Sequence, residues 1–451
     1  MKRVRVGNGC GFWGDSVDAP VRLAGAGRLD YLTLEYLAEL TMSILALLKQ
    51  RDPNAGFAHD FLGVLDRLAP CLKAQPSLRV VTNAGGMNPA GCGAKARDVL
   101  AKHGLADRRV AVVSGDDLFP RLDELIAAGH TLNHIDTGES IENVRAKLVS
   151  ANAYLGSMPI ADALALGAAV VVTGRVADAA LTVGPLAHEF GWKWDDWDRL
   201  CAGTTAGHLI ECGAQATGGL WVNADASTDL SNVGYPIADV AADGSFTLTK
   251  PANTGGAVNF ETVAEQLLYE VADPARYFTP DVVADFTTPT LRETGPDAVA
   301  VTGARGRPAT DTYKVSAAYR DGWTAAGTLT LLGPRAVEKA RLSGRIILDR
   351  LKAAGFGYEH SLVEVLGAGA CVPGVVTAAS DPPEVVLRVA VRDANKAAVE
   401  RFTKEFAPLV TAGFPGTTGY TTGRPQVREV FAYWPALVAK SAVPARVEVL
   451  G

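Results

Sequence analysis

Leu78-Arg79-Val80-Val81-Thr82-Asn83-Ala84-Gly85-Gly86-Met87-Asn88-Pro89 sets a β-branched apolar run directly against a glycine turn. Such a run favours extended backbone, and glycine allows the tight turn that follows it. A helical pattern over 94–103 comes next and closes at Gly104, where a helix commonly ends. The same unit recurs along the first third of the chain. The strand 3–6 runs into Gly7-Asn8-Gly9-Cys10-Gly11-Phe12-Trp13-Gly14-Asp15, the strand 110–113 into Ser114-Gly115-Asp116-Asp117, and the strand 169–172 into Thr173-Gly174-Arg175. Helical patterns over 29–50 and 160–166 lie between them. Strands alternating with helices predict an α/β fold with a mainly parallel, doubly wound sheet. In such sheets ligands bind outside the carboxyl ends of the strands, which is where these glycine clusters fall.

Composition narrows the function classes. The chain has 451 residues, 48% of them hydrophobic, 20% charged, with a net charge of −6. That is too apolar for a disordered chain and too acidic for a protein that grips a nucleic-acid backbone. Its 47 glycines are about a tenth of the chain against a usual ~7%, with no collagen period. The basic start meets Gly7-Asn8-Gly9 where a signal peptide would need an apolar stretch, and the most apolar region, 163–173, is about half a membrane span. Six cysteines without a CxxC pair fit a reduced, cytoplasmic protein with no structural zinc site. The length predicts two domains: an α/β domain over 1–335 and a smaller α+β domain over 336–451. In the second, strands are expected at 362–366, 385–391 and 427–440, with helices from 336 to 355 and from 395 to 410.

The strand-end loops supply the candidate site, and each residue has a structural reading beside the functional one. The glycine pattern from Gly7 to Gly14 has neither the spacing of a dinucleotide fingerprint nor an expected helix before about Leu29. Asp15, beside Trp13, reads as a desolvated acid/base or as a turn cap. Asp116 with Asp117 reads as a metal-binding or proton-sharing pair, or as a helix cap. Arg175 offers a planar fork for a carboxylate or phosphate, unless Asp178, three residues on, already fills it. His208 and Glu211 share a helix face at i, i+3, the arrangement of an oriented general base or of a buried, satisfied histidine. Lys250, ahead of Thr254-Gly255-Gly256, reads as an anion anchor or as a solvated strand end. The catalytic candidates are thus Asp15, Asp116, His208 and Glu211. The binding candidates are Asn8, Trp13, Asn83, Gly85, Gly86, Asn88, Asn152, Arg175, Asp178, Lys250, Thr254, Gly255 and Gly256. No metal ligands are assigned.

The strings GNGCGFWGDS, LDYLTLEYLAELTMSIL, NAGGMNP, GDDL, ANAYLG, VVTGRVADAAL, HEFGW, GTTAGHLIECGAQATGG, TKPANTGG, ETVAEQLLYEVADP and GARG together resemble the acyclic terpene utilisation AtuA family over residue 3 to about 334. The tail from about 336 is similar to the ferredoxin-like domain found with that family, most weakly around TGYTTGRP. Cys10 stands where the family pattern leads us to expect a small residue. The resemblance implies degradation of citronellol- and geraniol-type terpenes through CoA thioesters and carries no assigned catalytic residues or cofactor. The expectation is a homo-oligomeric catabolic enzyme for an acyl-CoA or related organic acid, of the lyase or hydratase kind. Two alternatives stand beside it. One is a non-catalytic partner of a CoA-using enzyme, docking through Phe431-Ala432-Tyr433-Trp434. The other is an ester or amide hydrolase using Cys10, Cys92 or Ser114.

Overall fold

The computed structural model describes residues 2–375, 382–420 and 423–450; Thr421 and Thr422, inside the TGYTTGRP stretch, lie outside the described residues. Two compact units emerge, one formed by 1–318 with 433–451, the other by 319–432.

The first unit is built on a mixed sheet. Its strands are β1 (Arg3–Asn8), β2 (Tyr31–Leu34), β3 (Arg79–Thr82), β4 (Val110–Ser114), β6 (Val170–Thr173), β7 (Ile237–Ala241) and β8 (Phe246–Thr249), with Thr290–Gly295, Ala298–Thr302 and Arg446–Leu450 at the two margins. A further strand, β5 (Leu148–Ala153), pairs instead with the long strand Thr312–Leu332. The heart of the sheet is the parallel run β1-β2-β3-β6-β4. Antiparallel strands flank it: β7 lies against β1, and Arg446–Leu450 lies against β4. The expected mainly parallel sheet is therefore mixed, because several strands return by short turns rather than through crossover helices.

The helices are α1 (Ala19–Gly27), α2 (Glu39–Arg51), α3 (Asp60–Ala74), α4 (Pro89–Lys102), α5 (Leu122–Ala127), α6 (Met158–Ala165), α7 (Ala180–Phe190) and α8 (Trp197–Glu211). Two corrections affect the site. The helical pattern expected over 29–50 divides into β2, a bend at 35–38, and α2. Tyr31-Leu32-Thr33-Leu34 is buried on both faces, so it shows no alternation and its leucines merge with the periodic run of α2. A helix also precedes Leu29: Pro20 stands in the first turn of α1, where a missing N–H costs nothing.

Register fixes what meets at the carboxyl edge. Asn8 stands opposite Thr33, Leu34 opposite Thr82, Thr82 opposite Val172, and Thr173 opposite Val113. The residues just beyond these positions, Gly9, Glu35, Asn83, Gly174 and Ser114, therefore line one edge. The core beneath them packs α1, α3 and α4 onto the sheet through Leu23, Phe61, Leu65, Leu68, Ala96 and Leu100.

The second unit follows the order strand, helix, two strands, helix, strand, the element order of a ferredoxin-like unit. Its sheet is ordered His360–Leu366, Glu384–Asp393, Thr312–Leu332, with Arg428–Ala439 also pairing to the last of these. Ala336–Ala353 covers it through Ala340, Ile347 and Leu351. Its limits differ from those expected at 336 and 451. Val447 and Val449 of the last strand pair with Val113 and Ala111 of β4 in the first unit. Trp434 is buried there too, with its indole N–H donating to the Leu132 carbonyl at 3.0 Å and its ring edge-on to His134. The aromatic segment proposed as an interface thus sends one of its rings into the core.

Candidate active site

Glycine and asparagine assemble the edge first. Asn8 takes a hydrogen bond from the Thr33 hydroxyl at 3.1 Å and donates to the carbonyls of Ile210 and Glu211 at 2.7 and 2.8 Å. It thereby ties the end of β1 to the last turn of α8. A Cβ on Gly11 would lie 2.7 Å from the Cys212 carbonyl carbon, so only glycine allows this approach. Asn83 accepts from the Tyr36 N–H at 2.8 Å and donates to Glu35 Oε1, which also accepts from the Leu37 N–H at 3.0 Å.

Arg175 is the centre of the first cluster. Only 2% exposed, it donates through Nη1 to the Leu37 carbonyl at 3.0 Å and pairs through Nη2 with Asp178 Oδ1 at 2.9 Å. Its guanidinium lies 4.1 Å from the Tyr154 ring centroid, a cation–π distance, and Glu35 Oε1 lies 3.9 Å from Nη1. Arg175 Nε and Glu35 Oε2 have no hydrogen-bond partner. The Tyr154 hydroxyl donates to Glu39 at 2.6 Å, and Lys314 approaches the same carboxylate at 3.5 Å. Burial works against the Glu39 charge, but the Tyr154 hydrogen bond and the charges of Arg175 and Lys314 outweigh it and hold this carboxyl below its usual range. Burial, helped by the charge of Asp178 and opposed by Arg175, drives Glu35 the other way, well above the carboxylate range.

His208 and Glu211 form the second cluster, joined Nδ1 to Oε1 at 2.9 Å as the helical spacing predicts. The imidazole stacks on Phe286 with centroids 5.0 Å apart and lies 5.5 Å from Tyr277. Burial pushes Glu211 up to about 7, against the pull of His208. Burial also disfavours the imidazolium, yet the hydrogen bond and charge of Glu211 prevail and raise His208 above its usual value. His208 Nε2 and Glu211 Oε2 have no hydrogen-bond partner. The charge of Asp178 reaches both His208 and Glu211, which makes it the link between the clusters. Its side chain, 35% exposed, is the most open member of that link. Asp116 stands behind the Arg175 loop, accepting at 2.9 Å from the Arg175 N–H and from Asn152. Burial raises it to about 6.

The remaining sequence candidates lie in other surroundings. Asp15 caps its own loop, accepting from the N–H groups of Gly11 and Ser16 and from the Tyr235 hydroxyl. Trp13 donates to Asp60, not to Asp15. Asn88 caps α4 by accepting from the Gly91 N–H. Gly85 is a packing glycine, whose Cβ would lie 2.5 Å from the Thr173 carbonyl, and Gly86 takes a left-handed turn at φ +47°. Lys250 donates to the Thr254 carbonyl at 2.8 Å and pairs with Asp297 at 2.9 Å. The N–H groups of Gly255 and Gly256 donate to the carbonyls of Asn232 and Thr228, so neither is open to an anion. Sequence reasoning missed Glu35, Glu39, Tyr154 and Tyr277. Glu35 carried a usable signal, as the first charged residue after the run Tyr31-Leu32-Thr33-Leu34.

Two hollows lie away from both clusters. One of about 320 Å3 is lined by α1 with Tyr235 and Pro251; one of about 450 Å3 is lined by Arg79, Arg108, Arg109 and Glu189. Among the described residues no group of three or more His, Cys, Asp or Glu is disposed to hold a metal ion, and no helix is long and apolar enough to cross a membrane.

The chain matches the family described as acyclic terpene utilisation family protein AtuA over residues 4–449. It belongs to that family. AtuA membership ties the chain to acyclic terpene utilisation, and the match runs on through the tail that the sequence reading had assigned to a companion domain. No curated protein and no solved structure matches the chain. Within this AtuA chain the clusters draw on three of the resembling strings: VVTGRVADAAL supplies Arg175 and Asp178, GTTAGHLIECGAQATGG supplies His208 and Glu211, and LDYLTLEYLAELTMSIL supplies Glu35 and Glu39.

Proposed function

We propose that this AtuA protein is an enzyme that moves protons on an organic acid or its acyl-CoA thioester, in a lyase or hydratase type of reaction. One observation carries the reading: Asp178, paired with the buried Arg175, stands within electrostatic reach of the His208–Glu211 pair at the carboxyl edge of a parallel run of strands. Asp178 and the Leu37 carbonyl take the two Nη atoms of Arg175, and the N–H left for a carboxylate or a developing enolate oxygen is at Nε. An imidazole oriented by a carboxylate is a general base. Together they suit abstraction of a proton next to a carbonyl.

A hydrolase reading gains less support. Burial raises the Cys10 and Cys92 thiols, which opposes the thiolate a nucleophile needs. The test is exchange of Cα protons for solvent deuterium, followed by NMR across a panel of acyl-CoA thioesters and free acids. Wild-type protein should exchange at least one substrate, and Arg175→Ala should lose 100-fold or more, on the order of one removed oxyanion contact. Equal rates in Arg175→Ala and wild type would overturn the reading.

A further inference from the structure

Carboxyls outnumber cations around Arg175. Glu35, Asp178 and Glu39 face two cations, Arg175 and Lys314. Lys314 serves Glu39, which also holds the Tyr154 hydroxyl. That leaves one guanidinium for two carboxyls, with Asp178 at 2.9 Å and Glu35 at 3.9 Å. Glu35 is the buried one and the farther from the cation, and a buried carboxyl without a cation of its own holds a proton.

We propose that Glu35 holds a proton in the resting protein beside the Arg175–Asp178 ion pair, its Oε2 O–H being the donor offered to a bound carbonyl or carboxylate oxygen. Burial assigns the proton to Glu35. Glu35 is 4% exposed and Asp178 is the more open, closer to the cation. The hydrogen bonds to Glu35 agree, because Asn83 and Leu37 both donate to Oε1 and leave Oε2 without a partner. An ionised carboxylate in a dry site would need donors on both oxygens, whereas a protonated Oε2 carries an O–H whose acceptor a bound oxygen would supply. The other titratable group facing Glu35 is the Cys10 thiol on the β1 loop, which burial keeps neutral. Burial and the charge of Asp178 favour the protonated form of Glu35 in the same direction.

This inference rests on the proposed function only for the identity of the ligand oxygen; the proton on Glu35 is a property of the resting protein. The test is infrared difference spectroscopy at pH 7 on protein labelled with 13C in the glutamate side-chain carboxyl. Wild type should show a protonated-carboxyl band that Glu35→Gln lacks; the band from Glu211 is common to both. Asp178→Asn frees Arg175 for Glu35, so the Glu35 band should disappear there too, a shift that a merely structural Glu35 would not show. No protonated band assignable to Glu35 in wild type, or a band unmoved by Asp178→Asn, would overturn the proposal. Should Glu35→Gln fail to fold, the Asp178→Asn comparison still decides. Because the readout needs no turnover, a protein inert toward thioesters can still confirm or refute the proton on Glu35.

Discussion

Arg175 is buried among neighbours that each take one part of it, a backbone carbonyl, a carboxylate and an aromatic face, and leave Nε without a partner. Each neighbour comes from a different loop, and only Asp178 is close in sequence. That explains what the motifs could and could not show. Arg175 with Asp178 and His208 with Glu211 are legible because helical spacing juxtaposes i and i+3. Glu35, Asn83, Tyr154 and Lys314 reach Arg175 through the sheet and through β5, and no local spacing announces that. The proton equilibria here give two tests. Asp116 is raised by burial from 3.8 to about 6. A raised carboxyl adds stability below its unfolded value, lost as pH climbs through the folded one. Between pH 4 and 6 wild type should lose about 2 kcal/mol more than Asp116→Asn, measured by denaturant unfolding at each pH. Parallel pH profiles would contradict the buried titration. For the second pair, the His208 base must shed its proton, so exchange should rise with pH through a midpoint above 6.5, the ordinary value of a histidine. Glu211→Gln removes the charge that sustains the imidazolium. Burial then governs His208, and the rising limb should move below 6.5; an unmoved limb would separate Glu211 from the base.

At the scale of elements, α8 brings the second cluster into place. Leu200 to Ile210 is buried continuously, which leaves room only for small side chains at the crossings. The stretch Gly203-Thr204-Thr205-Ala206-Gly207 looked irregular in sequence because glycine is a poor helix former. Tertiary packing overrides that preference. A Cβ on Gly207 would lie 2.8 Å from the Cα of Ala179, backbone against backbone, just beside Asp178. On Gly203 it would meet the rim of the Trp192 ring at 3.0 Å, a side chain able to yield. Gly207→Ala should therefore cost about 1–3 kcal/mol by overpacking, with up to about 1 kcal/mol returned through helix propensity. It should also slow proton exchange by displacing His208 from Asp178. Gly203→Ala serves as the control and should come close to wild type in both measurements. The reverse ranking would mean that α8 does not depend on that approach. The misread run 29–50 teaches the matching lesson. A strand buried on both faces next to a leucine-rich helix gives one unbroken apolar signal, and the break between them falls at Glu35.

At the scale of the molecule, the first unit is discontinuous in sequence. Its last strand arrives from beyond the second unit, and nothing in the local pattern of 446–450 says where that strand pairs. Long-range pairing is decided by which edge is open, and β4 is the outermost parallel strand. Capping it matters because an uncovered edge is a template for association. The returning segment also delivers Trp434, Ala436, Val438 and Val443 to the core. Truncation of Trp to Ala in a core costs about 3–5 kcal/mol, a large share of a domain's usual stability of about 5–15 kcal/mol. Trp434→Ala should accordingly lower the unfolding midpoint by an amount in that range. Removal of 433–451 should go further, exposing β4 along Val110–Ser114 and sending the protein to the insoluble fraction. Hydrogen exchange separates these effects. In Trp434→Ala, β4 amides should stay protected while those of Leu132 and its neighbours open. A soluble, cooperatively folding 1–432 chain would show that the final strand is dispensable to the first unit.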